Sequence, residues 1–184
     1  MWVDLNLGLG WKIMSNARAS EGADDMSKTL VAYFSATGTT ARAAKALAQA
    51  AGADLYEIAP AKQYTRADLN WHDSSSRTTK ERDDESARPA LAGDVPSVAG
   101  YDAIFVGFPI WWYAEPRIVD TFLDACDLAG KTVVPFATSG GSSVTRAAAH
   151  IRGLYPEARV LDGRTLNGSP SKGSLATWVD GLGI

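Results

Sequence analysis

A three-layer α/β fold, a doubly wound five-stranded parallel sheet between two helical layers, is predicted by three observations. Apolar runs of strand length recur along the chain. Those at residues 30–34 (LVAYF) and 103–108 (AIFVGF) are near-continuous, as expected of strands covered on both faces. Segments of helical periodicity separate the runs, the alternation that builds parallel βαβ crossovers. Turns rich in hydroxyl side chains and glycine follow the first and fourth runs, at the sheet edge where such folds place ligand loops.

Residues 29–34 make the first strand, and SATGTT at 35–40 is the turn that leaves it. Residues 41–51 hold seven alanines with Leu47, and Ala44, Leu47, Ala48 and Ala51 share one face. That is strong helix propensity with a small-residue face suited to packing on a sheet. Gly52 ends the helix, residues 53–58 (ADLYEI) form the second strand, and Pro60 stops it.

Residues 59–100 are the least regular part. Eight charged side chains fall within 77–88, before Pro89 breaks the run. A connection of this length normally contains a helix or a functional excursion. A solvated crossover helix with ragged flanks is expected, and Tyr64, Trp71 and His72 are candidates to reach a cofactor edge or a partner surface.

The third strand, 103–108, runs into PIWWYAEP at 109–116. Pro116 suits the first position of a helix whose Ile118, Val119, Phe122 and Cys126 point one way. Cys126, the lone cysteine, reads as a packed thiol rather than a nucleophile. Residues 131–137 (KTVVPFA) form the fourth strand, with Pro135 marking an edge or bulge because it cannot donate to a ladder. TSGGSS follows at 138–143, then a helix carrying Val144, Ala148 and Ile151 that closes near Gly153 and Pro156. A short fifth strand is expected at 158–161. Ser171 or Ser174 then caps a last helix with Leu175, Trp178, Val179 and Leu182 at i, i+3, i+4, i+7 spacing.

Composition narrows the function classes. With a formal charge of −3 and no basic patch, the chain has no electrostatic footprint for nucleic acid. One cysteine excludes an internal disulfide, and two histidines without nearby Cys/His/Asp clustering argue against a structural metal site. Residues 1–27 differ from the remainder. MWVDLNLGLGWKIM is apolar but lacks a basic leader and is too short and interrupted to span a membrane. NARASEGADD is polar, so 1–27 is expected to be a disordered N-terminal extension before one domain at 28–184. Met14 and Met26 offer later starts, consistent with an extended gene start, and a cytoplasmic location without a membrane span is expected. Gly130, Lys131 and Thr132 imitate the end of a P-loop, but position 125 is Ala where that motif needs Gly, and the triplet precedes a strand instead of opening a helix.

Three loops should meet at the carboxyl ends of strands one, three and four. Unpaired N–H groups at the helix start after SATGTT favour an anion, Gly38 allows close approach, and Ser35, Thr37, Thr39 and Thr40 add hydroxyls. No Lys or Arg lies in that loop, so its donors are neutral ones suited to a terminal phosphate. PIWWYAEP adds flat aromatics, and TSGGSS adds backbone donors. The set suits a ligand with a phosphate tail and a flat aromatic head.

At this point residues 28–183 resemble the flavodoxin-like family. Ser35, Thr37, Gly38 and Thr40 match its phosphate signature, Thr or Ser, x, Thr, Gly, x, Thr, in full. The resemblance implies strand order 2-1-3-4-5 and noncovalent FMN. It places the 5′-phosphate on Ser35, Ala36, Thr37, Gly38, Thr39 and Thr40. The isoalloxazine would lie along Pro109, Ile110, Trp111, Trp112 and Tyr113, and its pyrimidine edge against Thr138, Ser139, Gly140, Gly141 and Ser142. Many flavodoxins sandwich the ring between two aromatics, but TSGGSS has none, so one flavin face is expected to be open. Trp112 could cover the core while Trp111 binds.

Two functions follow from the resemblance. One is an electron carrier serving redox partner proteins, with no side chain needed as acid or base. The alternative is an FMN-dependent NAD(P)H:quinone-type reductase with a small quinone-like acceptor, which the tandem Trp111–Trp112 also resembles. A flavin-free sensory domain of the same fold ranks lower, because its acidic cluster after the first strand is replaced here by hydroxyls.

Overall fold

The structure, a computed structural model, describes residues 28–184. The expected extension at 1–27 lies outside the described residues. The elements run β1 (Thr29–Tyr33), α1 (Thr39–Ala51), β2 (Asp54–Glu57), α2 (Arg77–Asp83), β3 (Ala103–Pro109), α3 (Arg117–Asp124), β4 (Thr132–Thr138), α4 (Thr145–Leu154), β5 (Arg159–Val160), β6 (Arg164–Thr165) and α5 (Lys172–Asp180).

All strand pairings are parallel, in the order β2-β1-β3-β4-β5, with β6 also pairing β4. The continuous apolar runs of β1 and β3 divide between two cores because successive side chains face opposite ways. Leu30, Ala32, Phe34, Ile104, Val106 and Phe108 join Ile118, Val119, Phe122 and Ile151 from α3 and α4. Val31, Tyr33 and Phe105 instead meet Ala44 and Leu47 of α1 and Leu175 of α5. Gly107 faces this second core, where any Cβ would overlap the Phe136 ring.

The sixth strand was not foreseen, and Pro135 accounts for it. Leu161 N–H donates to Val133 C=O at 2.9 Å and Leu166 N–H to Ala137 C=O at 2.7 Å, so the backbone of alternate β4 residues faces this edge. Pro135, the residue between them on that side, has no N–H to offer. The edge strand breaks there into β5 and β6. At the break Gly163 has φ +74°, and a Cβ on it would overlap the Pro135 carbonyl.

The 59–100 connection is more ordered than expected. Pro60 and Leu91 pair across its neck, with Ala61 N–H donating to Ala90 C=O and Ala92 N–H to Ala59 C=O, both at 2.8 Å. Ser76 caps α2 by accepting from Thr79 N–H. Tyr64 is buried in the first core, and its hydroxyl donates to Glu81 at 2.8 Å. This excursion therefore packs back onto the sheet.

Candidate functional site

The loops leaving β1, β3 and β4 meet at the carboxyl edge of the sheet. Ser35 shapes the first: its Oγ accepts from Gly38 N–H at 3.1 Å, and Gly38 takes φ +86°. The first bond of α1 runs from Arg42 N–H to Gly38 C=O at 3.2 Å. The N–H groups of Thr39, Thr40 and Ala41 thus precede the ladder and remain free for an anion.

Thr40 is buried, and its hydroxyl lies 2.8 Å from that of Thr138 at the end of β4. One hydroxyl donates to the other, which leaves one proton for a ligand. The third loop is held from within. Ser139 Oγ accepts from Gly141 and Ser142 N–H at 3.1 and 2.7 Å, and Ser139 N–H donates to Asn167 at 2.9 Å. Gly140 N–H makes no bond to the described residues, so it stays available.

The β3 loop ends in a tight turn. Trp111 and Ala114 exchange backbone bonds at 3.0 and 3.1 Å, and the two residues between them, Trp112 and Tyr113, have φ of 48° and 71°. Such turns favour Asn and Gly, and two bulky aromatics held there store on the order of 1–3 kcal/mol each. Trp111 packs edge-on against Phe34 and Tyr64, with ring centroids 5.6 and 5.3 Å apart. Trp112 lies under the Arg82 guanidinium at 4.8 Å and Tyr113 under that of Arg146 at 4.9 Å. Trp111, expected to bind while Trp112 covered the core, is itself the residue packed against the core, and it also lines the cleft.

Between these loops runs a cleft in two connected parts. One part, about 340 Å³, is walled by Ala36, Thr37, Thr39, Thr40, Pro109, Ile110, Trp111, Trp112 and Thr138, with Leu69, Trp71 and Thr78 from the long excursion. The other shares Thr37, Thr39, Pro109, Ile110, Trp111 and Thr138 and adds Ser139, Gly140, Asn167 and Gly168. Of the residues expected here, Ser35, Gly38, Gly141 and Ser142 shape the loops without forming the wall, and Tyr113 turns to a neighbouring cavity. Leu69, Thr78, Asn167 and Gly168 carried no signal of their own. Trp71, 64% exposed, was marked only by its aromatic character.

Cys126 does not enter the cleft. Burial pushes its thiol up to about 12, and it packs against the first core, in keeping with a structural role. Among the described residues no group of side chains is arranged to hold a metal ion, and no helix is long and apolar enough to cross a membrane.

Fold and site together define a doubly wound α/β protein with an anion-ready loop facing an aromatic one at the topological switch point. The flavodoxin family model matches residues 28–182, and the chain belongs to that family. It is similar to two crystal structures, each described as a "putative flavoprotein". The one from Bacteroides uniformis is 53% identical, with 84% of this chain and 98% of that one covered and a TM-score of 0.80. The one from Bacteroides eggerthii is 49% identical, with 86% and 99% covered and a TM-score of 0.83. A flavoprotein from Lactobacillus acidophilus, solved in complex with FMN, has the same fold at 22% identity, with 76% and 92% covered and a TM-score of 0.62. No curated protein sequence matches the chain.

Proposed function

We propose that the chain holds FMN noncovalently in this cleft and carries electrons through it. The observation that supports this most is the meeting of three unlike loops at one switch point. Flavodoxins are themselves a standard illustration of ligand binding at that position. The Lactobacillus acidophilus relative with bound FMN adds support from the same fold.

Under this reading Ala36, Thr37, Thr39 and Thr40 hold the 5′-phosphate through neutral backbone and hydroxyl donors, on a loop that Ser35 and Gly38 hold in shape. Pro109, Ile110, Trp111 and Trp112 form the wall for the ring, and Trp111 keeps that wall rigid through Phe34 and Tyr64. Tyr113 shields the outer end of the turn. Thr138, Ser139 and Gly140 present donors to the polar edge of the ring, with Gly141, Ser142 and Asn167 holding that loop in shape. Bound FMN supplies the redox chemistry, and the protein supplies binding, orientation and exclusion of water.

Titrating the purified protein with FMN tests the phosphate assignment. Thr37→Ala with Thr40→Ala should weaken binding at least tenfold, since a bond to a charged group is worth about 1.5–3 kcal/mol. Unchanged affinity would put the phosphate elsewhere.

A second reading, an FMN-dependent NAD(P)H:quinone-type reductase, is favoured by one feature. The Thr138 to Ser142 loop has no aromatic to cover the outer ring face, which leaves room for a quinone-like acceptor. NADPH oxidation with a quinone well above the rate of free FMN supports this reading, and a rate equal to free FMN counts against it.

A further inference from the structure

Behind the Trp112–Tyr113 turn lies a second cavity of about 260 Å³, separate from the cofactor cleft except where they share Thr78, Trp111 and Trp112. Glu115, Arg117 and His150 line it, and with Asp120, which pairs with Arg117, they bring together the three buried charged side chains of the described residues. Glu115 and Asp120 are 3% and 0% exposed, Arg117 is 7% exposed, and His150 is partly exposed at the surface end. Glu115 Oε1 bonds His150 Nδ1, and Asp120 Oδ2 lies 3.4 Å from Arg117 Nη1. The other carboxylate oxygens, Glu115 Oε2 and Asp120 Oδ1, are buried without a hydrogen-bond partner among the described residues.

This cluster is tied to the strained turn. Glu115 follows Ala114, the residue that closes the turn against Trp111. His150 and Arg146 stand one helical turn apart on α4, so they share a face. Arg146 stacks on Tyr113, while His150 grips Glu115. From α2, Arg82 covers Trp112. The turn is therefore held at three points, and the Glu115–His150 link is strongest when the imidazole is protonated and the pair is charged.

We propose, building on the FMN reading above, that Glu115 and His150 are positioning residues whose charged hydrogen bond holds the Trp112–Tyr113 turn in its strained form, so that binding in the cofactor cleft is proton-linked. The charged and titratable groups around the pair come from every neighbouring element. Glu81, Arg82 and Glu85 face it from α2 and the residues just after it, Arg117 and Asp120 from α3, and Arg146 from α4. Glu81 is occupied by Arg77 and Tyr64, and Arg117 Nε donates to Glu81 C=O. Asp124, bonded by Tyr155 and Arg88, lies beyond Asp120.

With His150 protonated, two cations, Arg117 and His150, face two buried carboxyls. Once that proton is lost, Arg117 alone must offset both, and the link to Glu115 weakens. The hydrogen bond that His150 donates to Glu115 raises the His150 pKa above its ordinary value, and burial followed by the Glu115 charge pushes Asp120 up to about 7, so both groups hold their protons to higher pH than they would in the unfolded chain. Alkaline pH should release the turn and loosen the wall that Trp112 contributes to the cleft.

The test is a pH titration from 5 to 9 of tryptophan emission from the FMN-free protein, with Trp112→Phe identifying the reporter. The native profile should show an inflection near neutrality that is lost in Trp112→Phe, in Glu115→Gln and in His150→Gln. His150→Gln, altered at the partly exposed end, keeps the test valid if Glu115→Gln fails to fold by circular dichroism. FMN affinity should fall about fivefold or more between pH 6.5 and 9 in the native protein relative to His150→Gln, a comparison that cancels titration of the FMN phosphate itself. A flat native emission profile, or an inflection unchanged in both variants, overturns the proposal. If FMN fails to bind at any pH while the inflection behaves as expected, the cofactor reading falls and the proton-linked turn stands.

Discussion

Thr40 and Thr138 meet hydroxyl to hydroxyl at 2.8 Å in a buried position, and through them the first and third loops share one hydrogen bond. Thr138→Val keeps the shape but strands the Thr40 hydroxyl. We expect a loss of about 1–2 kcal/mol in stability, read as a lower urea midpoint at constant slope. An unchanged midpoint would mean that Thr40 finds another partner. The signature Ser35, Thr37, Gly38, Thr40 is visible in the sequence, yet the four residues do different work. Ser35 and Gly38 build the loop, Thr37 faces the cleft, and Thr40 links loops 98 residues apart. Local spacing identifies such a motif, whereas the division of labour depends on which strand ends the fold brings together.

At the level of elements, Pro135 and Gly163 explain why the sheet edge is split. Pro135 was legible as an irregularity, but its partner was not, because the two are brought together only by the pairing of β4 with β5 and β6. Gly163→Ala should destabilise the protein by roughly 1–3 kcal/mol, combining overlap with the Pro135 carbonyl and positive φ. A urea midpoint equal to the native one would contradict this account of the break. The main strands and helices were readable because their apolar spacing reports directly on two buried faces. In the excursion from 59 to 100 the helix in the charged run was readable, but the packing around it was not, since that order comes from long-range contacts such as Pro60 with Leu91 and Tyr64 with Trp111. The aromatic turn at Trp112 and Tyr113 was readable by composition alone, and nothing in residue type announces its positive φ values.

For the whole molecule, the buried cluster sets the direction in which stability changes with pH. Asp120 holds its proton up to about 7 in the folded state, chiefly through burial, while an unfolded Asp releases it near 4. Its contribution is present at low pH and is lost as pH rises through that window. His150, raised mainly by its bond to Glu115, acts in the same sense: its contribution is complete below the ordinary histidine range and is lost above it. Exposed Asp54, Asp68, Asp73 and Asp84 are lowered by hydrogen bonds and work oppositely, losing their contribution only as pH falls below the usual carboxylate range. Stability should therefore peak near about pH 5 and decline toward pH 8, at up to the order of 1 kcal/mol per pH unit. Asp120→Asn should flatten that decline in urea titrations, and an equally steep decline in the variant would assign it to other groups. This cluster was invisible in the sequence because Glu115 and His150 lie 35 residues apart and meet only when α4 packs beside the β3 loop.

The central claim is that the cleft at the carboxyl edge of the sheet takes FMN, and the visible spectrum of the purified protein tests it most directly, read with the mass of whatever is released on denaturation. We predict a yellow protein with flavin absorption that releases FMN, or a colourless one that takes up added FMN and becomes yellow. A colourless protein that rejects added FMN would contradict the account.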